Sequence, residues 1–379
     1  MRKWTKVWVA AFLLIGIVAG AAAAQEIVVG LNAELTGSIP VIGQSSRNGA
    51  QLAVDEINAA GGLEVGGRRY TIRLIVEDNK DDAASAVAAT TKLITQNQVI
   101  AVIGPNASRN AVPAAQIAEN FRTPMISPWS TNPTTTAGKQ YVFRAAFIDD
   151  FQGEVVAAFA RNNLGAQTAA VLFDIASEYN KGIAEVFRRS FEALGGRVVA
   201  WETYTTGDRD FSSQLTNIRA ANPDVLFLPN YYSEVPLQVQ QAQRLGIKAT
   251  FIGSDSWGFA ELLTLGGSAL EGSYYTTHYA ADIATPKAQA FIAAYEARYG
   301  SKPDDVAALT YDSMHMLFHA LQKAGRVDRE AVRNALANIT DFEGVTGTMR
   351  FEGTGDPIKS AVVVQIKDGQ FRYFDSVAP

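Results

Sequence analysis

Apolar residues along this 379-residue chain fall into short continuous runs, separated by stretches where they recur at helical spacing. Residues 27–31, 70–76, 99–103 and 124–127 read as strands; short, near-continuous apolar runs suit parallel strands covered on both faces. Between them, residues 47–60 carry Ala50, Leu52, Ala53, Ile57 and Ala60 on one helical stripe, ended by Gly61-Gly62. Residues 81–96 carry Ala84, Val87, Ala88, Leu93 and Ile94 in the same way. Residues 37–46 read as a polar, glycine-bearing loop. A further polar loop at 106–110 opens a third helix, placed near 108–110 so that Pro113 falls in the first turn, where no N–H is needed. The order βαβαβαβ predicts a doubly wound parallel sheet.

The alternation then recurs, with strands expected at 169–173, 197–204, 225–228 and 250–253 and helices at 180–194, 211–221 and 234–245. The two halves share no sequence repeat. Helices follow at 285–299, 304–323 and 328–337, and residues 361–366 and 370–374 flank Lys367-Asp368-Gly369 as a hairpin. Those helices lack strands, and a lone hairpin is barely stable. The helices are therefore expected on the first sheet and the hairpin on the second. The chain would cross between lobes near residues 148, 278 and 355. The expected fold is α/β, with two Rossmann-like lobes, 25–147 plus 278–355 and 148–277 plus 356–379, on a three-crossover hinge able to close over a ligand.

The first 24 residues change the picture. Arg2, Lys3 and Lys6 precede an apolar stretch, and Ala22-Ala23-Ala24 fits a cleavage site, so the segment reads as a secretory signal and the protein as periplasmic. Losing those three cations takes the formal net charge from −5 to −8, which disfavours nucleic acid and anionic membranes as partners. The absence of cysteine excludes disulfides and thiolate chemistry.

Candidate chemistry gathers at the strand ends. The loop after residues 99–103 presents Ser108; the loop after 124–127 presents Trp129, Ser130 and Thr131. Open α/β sheets bind ligands beyond the carboxyl ends of their strands, and a helix N-terminus there attracts an anion. Ser108, Thr131 and nearby amides thus suggest a carboxylate site; the alternative is that Ser108 only caps its helix.

The runs TGSIPVIGQSSRNGAQLAVDEINAAGG, VIGPNASRNAVPAAQIAE and MISPWSTNP, continued by YYSEVPLQVQQAQRLGIKATFIGSD and LTYDSMHMLFHALQKAG, resemble the periplasmic leucine/isoleucine/valine-binding proteins of ABC uptake systems, over essentially the whole chain after residue 24. The resemblance implies a type I periplasmic binding protein fold, a permease partner and a monomer without cofactor. It implies that Ser108 meets the ligand carboxylate, and that Trp129 backbone groups and the Thr131 hydroxyl meet the α-carboxylate and α-amine. By the same resemblance, Tyr179 and Tyr231 close over the ligand and Asp255 faces its ammonium. The chain departs from the family pattern in having Asp255 for glutamate and Ile42 for an aromatic residue in the first loop. The family's disulfide positions match Lys80 and Ala107, both replaced.

Physics agrees on polarity: hydroxyls and helix starts on one side suit an anion, while Asp255 with two phenols on the other suits a cation between apolar walls. A zwitterion satisfies both. Each residue has a plainer reading: Asp255 as a helix cap, one of Tyr231-Tyr232 as core, Tyr179 as surface, Trp129 and Trp257 as packing. His315 and His319 stand four apart, but Met-Leu-Phe separates them and the HExxH glutamate is missing. No nucleophile elbow, phosphate loop or dinucleotide fingerprint occurs, so the chain reads as a binding protein. The expected ligand is a small amino acid of the branched-chain type. The alternatives are an amide, urea or aromatic acid in the same fold, or a sensor for a membrane receptor.

Overall fold

The computed structural model describes residues 25–283 and 285–379; the expected signal segment, residues 1–24, lies outside them. In chain order the first part runs β1 (Gln25–Ala33), α1 (Pro40–Ala59), β2 (Leu63–Val65), β3 (Arg68–Asp78), α2 (Ala83–Thr95), β4 (Val102–Ile103), α3 (Ser108–Asn120), β5 (Met125–Ser127) and β6 (Val142–Arg144). Its sheet has the order β2-β3-β1-β4-β5-β6, parallel except for the β2 hairpin. Strand order reverses between β1 and β4, the place where such sheets open a crevice.

Next come α4 (Asp149–Asn162), β7 (Thr168–Asp174), α5 (Glu178–Ala193), β8 (Arg197–Tyr204), α6 (Ser212–Ala221), β9 (Val225–Leu228), α7 (Val235–Arg244), β10 (Thr250–Gly253), α8 (Ala260–Gly266) and β11 (Tyr274–Thr277). After α9 (Pro286–Tyr299), α10 (Asp305–Ala324) and α11 (Arg329–Ala337) lie three short strands, β12 (Phe342–Gly344), β13 (Gly347–Phe351) and β14 (Pro357–Ile358), then the hairpin β15 (Ala361–Lys367) and β16 (Gln370–Val377). The second sheet is ordered β16-β15-β11-β10-β9-β7-β8, with β15 antiparallel to β11. Its crevice lies between β7 and β9. Helix α10 packs along α1, and Arg329 of α11 donates to the Val99 carbonyl at 2.7 Å, tying the late helices to the first sheet.

Several sequence expectations change. Helix α1 begins at Pro40, not after residue 46, because proline at its N-terminal position is preset for helix. Ile42 therefore lies in the first turn of a helix rather than in a loop, fully buried in the core. Pro113 stands inside α3, a turn beyond its start, where it deletes one helical hydrogen bond. Strands β6 and β11 and helix α4 were not foreseen. The two strands are only a few residues long, Arg144 interrupts the apolar run around β6, and α4 carries a glycine.

The α1–α10 contact is close enough to exclude a methyl group. A Cβ on Gly49 would lie 2.3 Å from the Ala307 carbonyl oxygen. Gly49→Ala should therefore destabilise the protein by about 1–3 kcal/mol, against the helix preference for alanine. Urea unfolding checks this: the midpoint should fall with the slope unchanged.

Candidate functional site

Residues from the carboxyl ends of both sheets meet in one buried cluster. Ser108 begins α3, and Trp129, Ser130 and Thr131 follow β5; Tyr179 follows β7, Tyr231 follows β9 and Asp255 follows β10. All seven are at most 4 % exposed. The Trp129 ring lies 6.4 Å from Tyr179, 6.1 Å from Tyr231 and, edge to face, 5.9 Å from Phe259. The two phenols are 5.6 Å apart. Ile42, on α1, belongs to the core rather than to a loop over this cluster.

On the first side, hydroxyls form a chain: Ser108 Oγ to Ser130 Oγ at 2.9 Å, then Ser130 Oγ to Thr135 Oγ1 at 2.8 Å. Ser108 does not cap α3. Its cap position is Ala107, and Glu34, fully buried in the β1–β4 crevice, accepts from the amides of Asn106 and Ala107 and from the side chains of Asn106 and Asn110. Burial raises the Glu34 carboxyl above its ordinary value, and the asparagine donors pull it back. The protein's own carboxylate thus takes part of the crevice where an outside anion was expected, leaving the serine chain beside it. The loop behind this chain is shaped by Arg144. Its guanidinium, fully buried, donates to the carbonyls of Ser130 (2.6 Å) and Asn132 (2.9 Å) and to Thr136 Oγ1 (2.8 Å), and pairs with Asp356 at 2.6 Å.

On the second side, Asp255 does not cap a helix. Its Oδ1 accepts from the Tyr179 hydroxyl at 2.5 Å and from Gln152 Nε2 at 3.2 Å; its Oδ2 lies 3.2 Å from His278 Nε2. Burial pushes the His278 imidazole down to about 4, despite the Asp255 bond that favours its charge, so the ring is neutral and stacks on Phe147 at 3.7 Å. Tyr179 is held well above its ordinary value by burial and by Asp255.

Two further carboxyls flank Asp255, and sequence reasoning missed both. Asp149, at the start of α4, makes no close hydrogen bond through its carboxyl oxygens, and the Thr131 hydroxyl beside it acts on the carboxyl to lower it. Burial, with Asp255 near by, pushes Asp149 up to about 8. Asp305 is held well above the carboxylate range by the same causes; its Oδ2 accepts from Thr277 Oγ1 (2.9 Å) and Trp129 Nε1 (3.4 Å). Gln152, His278 and Arg144 were missed too. A polar residue inside an apolar stretch, as in YVFRAAF, is the one signal that points to Arg144.

The remaining expectations resolve into packing. Tyr232 lies on Phe259 at 4.8 Å, and Trp257 is fully buried with its indole N–H on the Leu228 carbonyl. His315 packs on Tyr311 and Phe318. Among the described residues no group of three or more His, Asp or Glu suits a metal ion, and no helix is long and apolar enough to cross a membrane.

A periplasmic binding protein family model matches residues 26–370. The chain belongs to the periplasmic binding protein family. It is similar to a leucine-, isoleucine-, valine-, threonine- and alanine-binding protein of Pseudomonas aeruginosa, with 31% identity over 92% of this chain and 91% of that one. Among solved structures it resembles the leucine-binding protein LivK of Thermotoga maritima, with 34% identity, a TM-score of 0.88, and coverage of 93% of this chain and 99% of that one. It also resembles the branched-chain amino acid transporter substrate-binding protein LivJ of Streptococcus pneumoniae, solved with isoleucine, with 35% identity, a TM-score of 0.88, and coverage of 94% and 100%. The fold is that of a type I periplasmic binding protein, and the family binds rather than transforms its ligands.

Because His278 is neutral in the fold and ordinarily titrates at 6.5 when unfolded, its contribution to stability is present above 6.5 and lost as the pH falls toward about 4. Asp149 acts in the opposite sense over its own range, its contribution lost as the pH rises through about 8. Comparing the native protein with His278→Gln isolates the imidazole. The native protein should lose up to about 1.4 kcal/mol more per pH unit between 6.5 and 4, read from urea unfolding at each pH.

Proposed function

We propose that the protein captures a small amino acid of the branched-chain type between two lobes and delivers it to an ABC importer. In this reading residues 25–147 with 278–355 form one lobe and residues 148–277 with 356–379 the other. The chain is secreted by a cleaved signal, works in the periplasm as a monomer, and needs no cofactor. The observation that carries the reading is the union of two chemistries in one closed cluster: serine and threonine hydroxyls from the first sheet, and a carboxylate with phenols from the second.

Ser108, Ser130, Thr131 and backbone groups of Trp129 receive the ligand carboxylate. Asp255 faces the ammonium, and Tyr179 and Tyr231 cover it. Ile42 contributes from α1 to the apolar ground beneath. Hydrogen bonds to charged groups inside such a water-free cluster contribute about 1.5–3 kcal/mol each. The buried Thr131 hydroxyl, which acts on the Asp149 carboxyl, supports the reading as a polar group of the first sheet within the cluster. The named ligands of the Pseudomonas and Streptococcus relatives support the ligand class.

Calorimetry against the twenty amino acids tests the proposal, with a branched-chain or similar small amino acid expected to bind one to one. Binding to none of them overturns it. Asp255→Asn should weaken the bound amino acid by about 3–5 kcal/mol, because the ammonium is left buried without a counter-charge. An unchanged affinity in that variant removes Asp255 from the site.

A further inference from the structure

A cavity of about 450 Å³ opens behind Asp305. It lies between the turn before α8, the passage that follows β11, the start of α10 and the β15–β16 hairpin, so elements attached to both sheets wall it. None of the residues assigned above to the amino acid lines it. Its walls are aromatic: Tyr275, Tyr279, Phe371 and Tyr373 face it, with Phe371 set edge to face on Tyr275 at 5.3 Å. Two buried polar atoms at its wall have no hydrogen-bond partner, Asp305 Oδ1 and the Tyr279 hydroxyl. Asp305 is 2 % exposed, and its Oδ1 lies 3.6 Å from where a side chain on Gly258, another wall residue, would begin.

We propose that this cavity is a second ligand site and that it takes a small organic ammonium ion. Aromatic faces carry negative potential and bind cations, most strongly where water is excluded. A buried carboxyl oxygen and a phenol oxygen, neither of them hydrogen-bonded, stand at the end of the cage. The alternatives fit less well. The oxygens of neighbouring Asp304 are already taken by the Ser45 hydroxyl and the Ala307 amide, which leaves too few ligands for a metal ion. Asp282 at the rim accepts from the Tyr373 amide. The cations at this place, Lys302 and Arg372, are exposed at the mouth rather than inside.

Asp305 is a shared wall. Its Oδ1 belongs to the cavity, while its Oδ2 holds the Trp129 indole in the cluster described above. Burial, with Asp255 and Asp304 near by, holds the Asp305 carboxyl well above its ordinary value. An ammonium ion arriving at Oδ1 favours the charged form, which also strengthens the bond to Trp129. Occupancy of the cavity would thus be felt across the wall, at the indole that touches both Tyr179 and Tyr231.

Titration of the full chain with tetramethylammonium and n-propylammonium chloride tests the proposal, at constant ionic strength and beside tert-butanol and 1-propanol as uncharged counterparts. The ammonium ions should bind one to one and quench or shift tryptophan fluorescence, and the alcohols should not. Asp305→Asn should weaken binding at least tenfold, and Phe371→Ala, at a half-buried hairpin position, should do the same. No saturable binding overturns the proposal, as does equal binding of the alcohols. Binding that survives both substitutions but is lost in Asp255→Asn belongs to the cleft and overturns it equally. Amino-acid calorimetry on the same samples keeps this result separate from that of the primary site.

Discussion

The buried carboxyl of Asp255 is the group around which the elements at the carboxyl end of the second sheet are arranged. A charge taken out of water persists only when donors replace its hydration. Here the donors come from three separate elements: Gln152 on α4, Tyr179 on α5 and His278 just beyond β11. Each of those elements must reach its final place for the carboxylate to be tolerated. Tyr179 also packs beside Trp129 and Tyr231, so the requirement that makes Asp255 tolerable also sets the geometry of the cluster.

The flanking carboxyls follow from the same constraint. Asp149 and Asp305 sit near Asp255 without enough donors to hold two more negative charges, so burial and repulsion keep both protonated through the ordinary carboxylate range. Their oxygens without close hydrogen bonds, both of Asp149 and Oδ1 of Asp305, mark one side of the interior, while the serine chain and the Arg144-braced loop dominate the other. Glu34 completes the division by occupying the crevice of the first sheet with the protein's own carboxyl group. What remains for a guest is a set of hydroxyls, one carboxylate and aromatic walls.

Buried polar groups concentrate where the chain passes from one sheet to the other. Asp149 opens the first passage, His278 the second, and Asp356 and Lys359 sit in the third, paired with Arg144 and with the Ala145 carbonyl and Thr346 hydroxyl. Backbone in these passages lies outside the main ladders, and its groups are satisfied by other loops, as where the Asp149 amide donates to the Thr131 carbonyl, and by side chains, as where Lys359 donates to the Ala145 carbonyl. The passages are held by desolvated hydrogen bonds of Arg144, Asp356 and Lys359 together with apolar packing, as where His278 stacks on Phe147.

The residues alone determined the α/β alternation, the strand ends that carry Ser108, Trp129, Thr131, Tyr179, Tyr231 and Asp255, and the family, because each depends on local periodicity or on short contiguous motifs. Helix boundaries were legible only where a cap or breaker marks them; Pro40 was such a mark and the glycines around it obscured it. The tertiary structure decided the rest. That Ser108 bonds Ser130 instead of capping α3, that Glu34 fills the first crevice, and that Asp149, Gln152, His278 and Asp305 gather around one carboxylate are facts of juxtaposition between residues separated by up to hundreds of positions. No spacing rule encodes them, since hydrogen bonding and desolvation act through distance in space and the fold alone sets that distance.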